Sequence, residues 1–195
     1  MAIKQRVIYV PGLGDRRSYG QRTIVKFWRL FGLQAHYFPL GWADSEAFEP
    51  KLSRLLEKID EVKKPGAKVY LVGVSAGASA VINAFARREQ VDGVVLICGK
   101  IQHPETINPR YFQRNPAFKE SIYLVSDSLS KLSQKDRAKI MSIHPLYDQT
   151  VPISHTIIPG AREKTVFSVG HIMSIFYVIM FRGRMIAKFL KNISA

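Results

Sequence analysis

The 195-residue chain contains a single cysteine, Cys98, which excludes an internal disulfide and any demand for an oxidising compartment. No spacing among Cys98 and the five histidines makes a zinc motif, so no metal is expected. Long apolar runs are equally scarce. The longest, Ile172 to Phe181, is interrupted by Ser174 and ends at Arg182, well short of the ~20 residues that cross a bilayer. The amino terminus, MAIKQRVIYVPG, lacks the apolar stretch and small-residue cleavage site of a secretory signal, which favours a cytoplasmic protein.

Acidic residues are also few: 15 Asp and Glu stand against 29 Lys and Arg, for a formal net charge of +14. The excess gathers at the two ends. Residues 1–32 carry seven basic residues against Asp15 alone, and residues 162–195 carry six against Glu163 alone. Such a field attracts anionic substrates, phospholipid headgroups or nucleic acid. No helix-turn-helix, zinc-finger, RNP or KH signature is present, so nucleic acid is not the expected partner, while peripheral contact with a membrane surface stays open.

A hydrophobic content of 47% with 23% charged residues is ordinary for a globular chain, and the length suits one domain over residues 1–195. Strand and helix signals alternate along it. Arg6 to Val10 (RVIYV) reads as a buried strand ending at Pro11-Gly12. Ile24, Phe27, Trp28 and Phe31 then recur at helical spacing, with Gly32 as the stop. Gln34 to Leu40 gives a second strand, and Leu52, Leu55, Leu56, Ile59 and Val62 give an amphipathic helix between Pro50 and Pro65.

Lys68 to Val74 (KVYLVGV) is apolar at almost every residue, as a central parallel strand covered on both faces must be. Ala76 to Arg88 is a small-residue helix, and Gly93 to Cys98 another apolar strand. Weaker strands at Lys139 to His144 and Lys164 to Val169 precede a terminal helix from Ile172 to about Asn192. The pattern predicts a three-layer α/β fold: an open, mostly parallel sheet of about six strands with helices on both faces. Residues 100–138 interrupt it. Their first part, with Pro104, Pro109, Tyr111 and Phe112, reads as irregular, and Asn115-Pro116 opens a packed helix. The segment is either a lid over a site or a surface excursion.

Gly73-Val74-Ser75-Ala76-Gly77 matches G-x-S-x-G and lies where a strong strand meets a helix, the context that motif requires. With VIYVPGLG early, DQTVP late and a final SVGH, the sequence resembles the α/β-hydrolase family over most of its length, from about Arg6 to the terminal helix. The usual family core begins with two extra strands, whereas here the first strand starts at Arg6, so a small, single-domain member without a separate cap domain is expected. The resemblance also implies a nucleophile, acid and base in the order Ser75, Asp148, His171. Each of the three follows a strand end, where sites of open parallel sheets lie. Asp127 is the competing acid, but it falls inside a predicted helix.

The same resemblance assigns an oxyanion hole to the backbone N–H groups of Ala76 and of Leu13, with Gly12 and Gly14 as alternatives to Leu13. Val10-Pro11-Gly12 replaces the histidine-containing motif common at that loop in the family. Together these residues imply hydrolysis of a small-molecule carboxylic ester or thioester without a cofactor. The alternative is a non-catalytic module of the same fold that binds a partner or an anionic membrane through its basic ends. Arg16 and Arg17, just after the oxyanion loop, are placed at the pocket mouth. His36, His103, His144 and His155 are read as surface or structural residues. The apolar terminal helix is buried against the sheet, or else presents a face to membrane.

Overall fold

The computed structural model describes residues 5–15 and 19–193; Arg16 and Arg17 lie outside them. Six strands form one sheet: β1 (Gln5–Val10), β2 (Leu33–Tyr37), β3 (Lys68–Val74), β4 (Gly93–Ile97), β5 (Ile140–Tyr147) and β6 (Arg162–Val169). All five pairings are parallel, in the order β2-β1-β3-β4-β5-β6. The chain moves outward from β1 to β2, then crosses back to place β3 on β1's other side. Strand order therefore reverses between β1 and β3, and the crevice at their carboxyl ends is where such sheets hold ligands.

Side-chain alternation sends each central strand into two cores. Val7 and Tyr9 of β1, Tyr70 and Val72 of β3, and Val95 and Ile97 of β4 face one layer. Ile8 and Val10, Val69 and Leu71, and Val94 and Leu96 face the other. The second layer holds helices α2 (Phe48–Val62), α3 (Gly77–Phe85) and α5 (Pro116–Lys131). The first holds α1 (Tyr19–Lys26), the 3-10 segment Phe27–Phe31, and the two terminal helices α7 (His171–Phe181) and α8 (Gly183–Asn192).

Two expectations need correction. The terminal helix is broken at Arg182, because its two halves pack on different neighbours. At Gly183 a side chain would meet Phe31 at 2.9 Å and Trp28 at 3.1 Å, and Trp28 is itself anchored by its indole N–H to the Ile179 carbonyl at 2.8 Å. The early part of 100–138 is also less irregular than its prolines suggest. Asn108 caps a short helix, α4 (Pro109–Arg114), by accepting from the Arg110 amide at 3.0 Å. A four-residue helix, α6 (Gln134–Arg137), closes the segment.

A buried polar network fixes α5 on α3. The Ser79 and Ser121 hydroxyls are 2.7 Å apart, Asn83 donates to the Ser121 carbonyl at 2.9 Å, and Ser128 donates to Asn83 Oδ1 at 2.6 Å. Each polar group satisfies another, so the contact leaves no desolvation penalty unanswered and sets the helix in one register. Segment 100–138 is thus tied to the helix that follows Ser75.

Candidate active site

Ser75 sits at the turn from β3 into α3 with φ of 51°, a left-handed conformation that an L-residue adopts only under constraint. The two flanking glycines supply that constraint. At Gly73 a Cβ would fall 2.6 Å from Val81 and 2.7 Å from the Ala78 Cα, and at Gly77 it would overlap the carbonyls of Val10 and Pro11. Only glycine lets the helix start this close to β1 and β3. The turn lifts Ser75 above the sheet edge at the strand-order reversal, half-buried, while Ala76 behind it is buried.

Asp148 and His171 arrive from the next strands. Pro145 lies beyond the last β4 pairing at Ile143, and the β5–β6 register shifts between Pro145 and Tyr147. A proline there removes no ladder bond to β4. Asp148 follows immediately. Its Oδ1 accepts from the amides of Thr150 and Val151, both at 2.8 Å. Its Oδ2 lies 2.7 Å from His171 Nδ1, and His171 Nε2 lies 2.9 Å from Ser75 Oγ. A carboxylate can only accept, so Nδ1 carries the hydrogen and Nε2 is left to accept from the serine hydroxyl. Burial alone would raise the Asp148 carboxyl, but the His171 bond and the Val151 and Thr150 amides outweigh it and hold the group below its ordinary value.

The three residues singled out in sequence are therefore contiguous, and Asp127 is not among them: it is exposed on α5 and pairs with Lys131 at 2.7 Å. Leu13 and Ala76 line the same cavity as Ser75, a space of about 430 Å³. Its far wall comes from residues 106–118, including Tyr111 of α4 and Phe118 of α5.

Three other residues of this region escape the sequence reading. Cys98, at the end of β4, brings its sulfur within 4.8 Å of ligand atoms of Asp148 and His171. Burial first, and then the charge of Asp148, push its thiol pKa up, so it stays protonated and makes a poor metal ligand. Lys100 and His155 both line the cavity, a position that reading His155 as a surface or structural residue did not foresee. Lys100 is only 5% exposed, and its Nζ lies 2.9 Å from Thr106 Oγ1 and 2.5 Å from His155 Nδ1. The signal was its place: two residues after Cys98, beyond the carboxyl end of the strand beside the one that leads to Ser75.

No protein-family model and no curated protein matches the chain. Solved structures do. Est1E from Butyrivibrio proteoclasticus superposes with a TM-score of 0.74 at 13% identity, covering 98% of this chain and 89% of that one. The esterase domain of a Rhodothermus marinus protein gives 0.69 at 15% identity, over 97% and 88%. The ydeN gene product of B. subtilis gives 0.66 at 17% identity, with 98% of each chain covered. Six parallel strands in this order, a strained serine at the strand-to-helix turn and neighbours of this kind agree: the chain has the α/β-hydrolase fold.

Proposed function

We propose that the protein is a serine hydrolase that cleaves a carboxylic ester or thioester through an acyl-enzyme. The observation that carries this reading is the unbroken hydrogen-bond line from Asp148 through His171 to Ser75. The esterases among its structural neighbours, with a monoacylglycerol lipase from Paleococcus ferrophilus at a TM-score of 0.63 and 15% identity, support an ester as the substrate.

Ser75 Oγ attacks the carbonyl carbon as its proton passes to His171 Nε2, and the carbonyl π pair moves onto oxygen. Asp148 holds the imidazole in the accepting tautomer and stabilises the imidazolium that forms. The amides of Ala76 and Leu13 receive the oxyanion. Collapse expels the alkoxide or thiolate, which takes the proton from His171. Water then adds to the acyl-enzyme with His171 again as base, releasing the acid and regenerating Ser75. Every proton taken is returned, so no cofactor enters the scheme.

Intact-mass analysis after treatment with a fluorophosphonate tests it. One adduct per native chain, absent from Ser75→Ala and His171→Ala, is expected; an adduct that survives Ser75→Ala places the nucleophile elsewhere. A second reading rests on the outer face of α7, where Ile172, Met173, Met180 and Phe181 are exposed and Arg184, Lys188 and Lys191 follow on α8. That face suits a module docking on an anionic membrane. A folded native protein that takes no fluorophosphonate yet binds anionic vesicles in a salt-sensitive way would replace the hydrolase reading with this one.

A further inference from the structure

A buried lysine normally brings its own counter-ion, because an ammonium taken out of water costs several kcal/mol unless paired. Lys100 does not. No carboxylate lies within ion-pair distance of its Nζ among the described residues. The nearest acid in sequence, Glu105, is exposed and bonded to His103 at 2.9 Å. The partners of Lys100 are neutral acceptors. Thr106 gives its own hydroxyl hydrogen to the His103 carbonyl at 2.8 Å, so its lone pair is free to receive from Lys100. His155 receives at Nδ1, held below its ordinary pKa by burial, then by Lys100 itself. Two of the three ammonium hydrogens are thereby placed, and the group stands in the wall of the cavity that contains Ser75.

We infer that Lys100, held by Thr106 and His155, is the recognition site for a second, anionic group on the substrate, so that the protein acts on esters carrying a carboxylate or phosphate besides the scissile bond. The anion supplies the missing counter-charge and takes the third N–H. The lysine's backbone position suits it to this role, since its amide donates to the Ser75 carbonyl at 3.2 Å and so fixes cation and nucleophile to one another through the main chain. Thr106 and His155 prevent the side chain from leaving the wall for water. The cavity's volume, about 430 Å³, accommodates a short acid and its alcohol together.

This inference rests on the hydrolase reading for its rates but not for its binding. Two matched pairs test the rates: monoethyl glutarate against ethyl pentanoate, with the charge on the acyl side, and butyryl glycerol phosphate against butyryl glycerol, with it on the alcohol side. In at least one pair the native protein should favour the anion by about tenfold or more in kcat/KM, the scale of one charge-assisted hydrogen bond. In Lys100→Met that ratio should fall to about one, and in Lys100→Arg it should partly return. Equal rates within both pairs, or a preference that survives Lys100→Met, overturns the assignment. Calorimetric titration of Ser75→Ala with the same ligands separates the two readings. Tighter binding of the anionic member that Lys100→Met abolishes upholds the site even where the native protein takes no fluorophosphonate. Equal binding of both members overturns it.

Discussion

Two lysines are buried among the described residues, and they are buried in opposite ways. Lys51, on α2, is fully shielded, donates to the Gly41 carbonyl at 2.9 Å and to Asp44, and pairs with Glu46 at 3.3 Å. Lys100, in the cavity wall, meets only a hydroxyl and an imidazole. Burial pulls its pKa down to about 8, against the opposing charge of Glu105, which lies beyond ion-pair distance. The first lysine is finished within the fold; the second is left without the charge it needs. The difference teaches where to look for a ligand: a buried cation matched by carboxylates is structure, and one matched only by neutral acceptors beside Ser75 is where the inferred substrate anion would bind.

Asp148 shows what a finished charge looks like inside the site, and disturbing it should give the largest effect. Asp148→Asn keeps size and shape but replaces an acceptor by an amide that can donate to His171, favouring the tautomer that cannot accept from Ser75. Ester turnover and the rate of fluorophosphonate labelling should both drop by about 10⁴-fold. The midpoint of thermal unfolding should move far less. A loss of only a few fold, measured on a neutral ester, would mean that Asp148 is a mere anchor for the Thr150 and Val151 amides.

Lys51→Met breaks the other finished charge. Removing one partner of a fully buried pair costs about 3–5 kcal/mol, and because Asp44 and Glu46 are about one-third exposed and can turn to water, about 2 kcal/mol is expected here. For a chain of this size that is a fall of roughly 4–8 °C in Tm, read by a thermal scan, with the anion preference of hydrolysis untouched. No fall in Tm would erase the contrast between the two lysines from its structural side.

The parts of this contrast were not equally legible in the sequence. The strand KVYLVGV and the GVSAG turn were legible because each depends on local pattern, apolar continuity and glycines at two fixed places, whereas the grouping of Ser75, Asp148 and His171 came from the family resemblance, each residue lying just beyond a strand end. The break at Arg182 was not legible, since the apolar period runs through it and its cause is the contact of Gly183 with Phe31 and Trp28, about 150 residues away. Helix α4 left a signal in Asn108-Pro109 that the neighbouring prolines outweighed. Lys100 is the instructive case. Composition places a lysine at the surface. The joining of the next residues, Ile101 and Gln102, to the 3-10 turn Ile153–Thr156, through their amides and the His155 carbonyl at 3.1 and 3.2 Å, brings it indoors.

The smallest effect is the sharpest test of the comparison, because it has the opposite sign to Lys51→Met. A methionine in place of Lys100 removes the burial of an uncompensated ammonium and leaves His155 Nδ1 without its donor, a gain of about 2 kcal/mol against a loss of about one. The net at pH 7 should be near +1 kcal/mol, a rise of about 2–4 °C in Tm. Its pH dependence is fixed by the direction of the pKa. The native lysine has a value of about 8, below the ordinary lysine value of 10.5, so between these limits the unfolded chain holds more protons and native stability climbs with pH. The penalty that methionine relieves is complete below about pH 8 and fades above it, so the advantage of Lys100→Met should shrink from pH 7 to pH 10. His155, His103 and Glu105 also face this lysine, but they are present in both proteins and their titration largely cancels in the difference. An advantage that stays level across that range would show that packing, not charge, sets the cost at Lys100. A destabilised Lys100→Met would show that this lysine, like Lys51, is already satisfied by the fold, and the substrate's anion would have nothing left to supply.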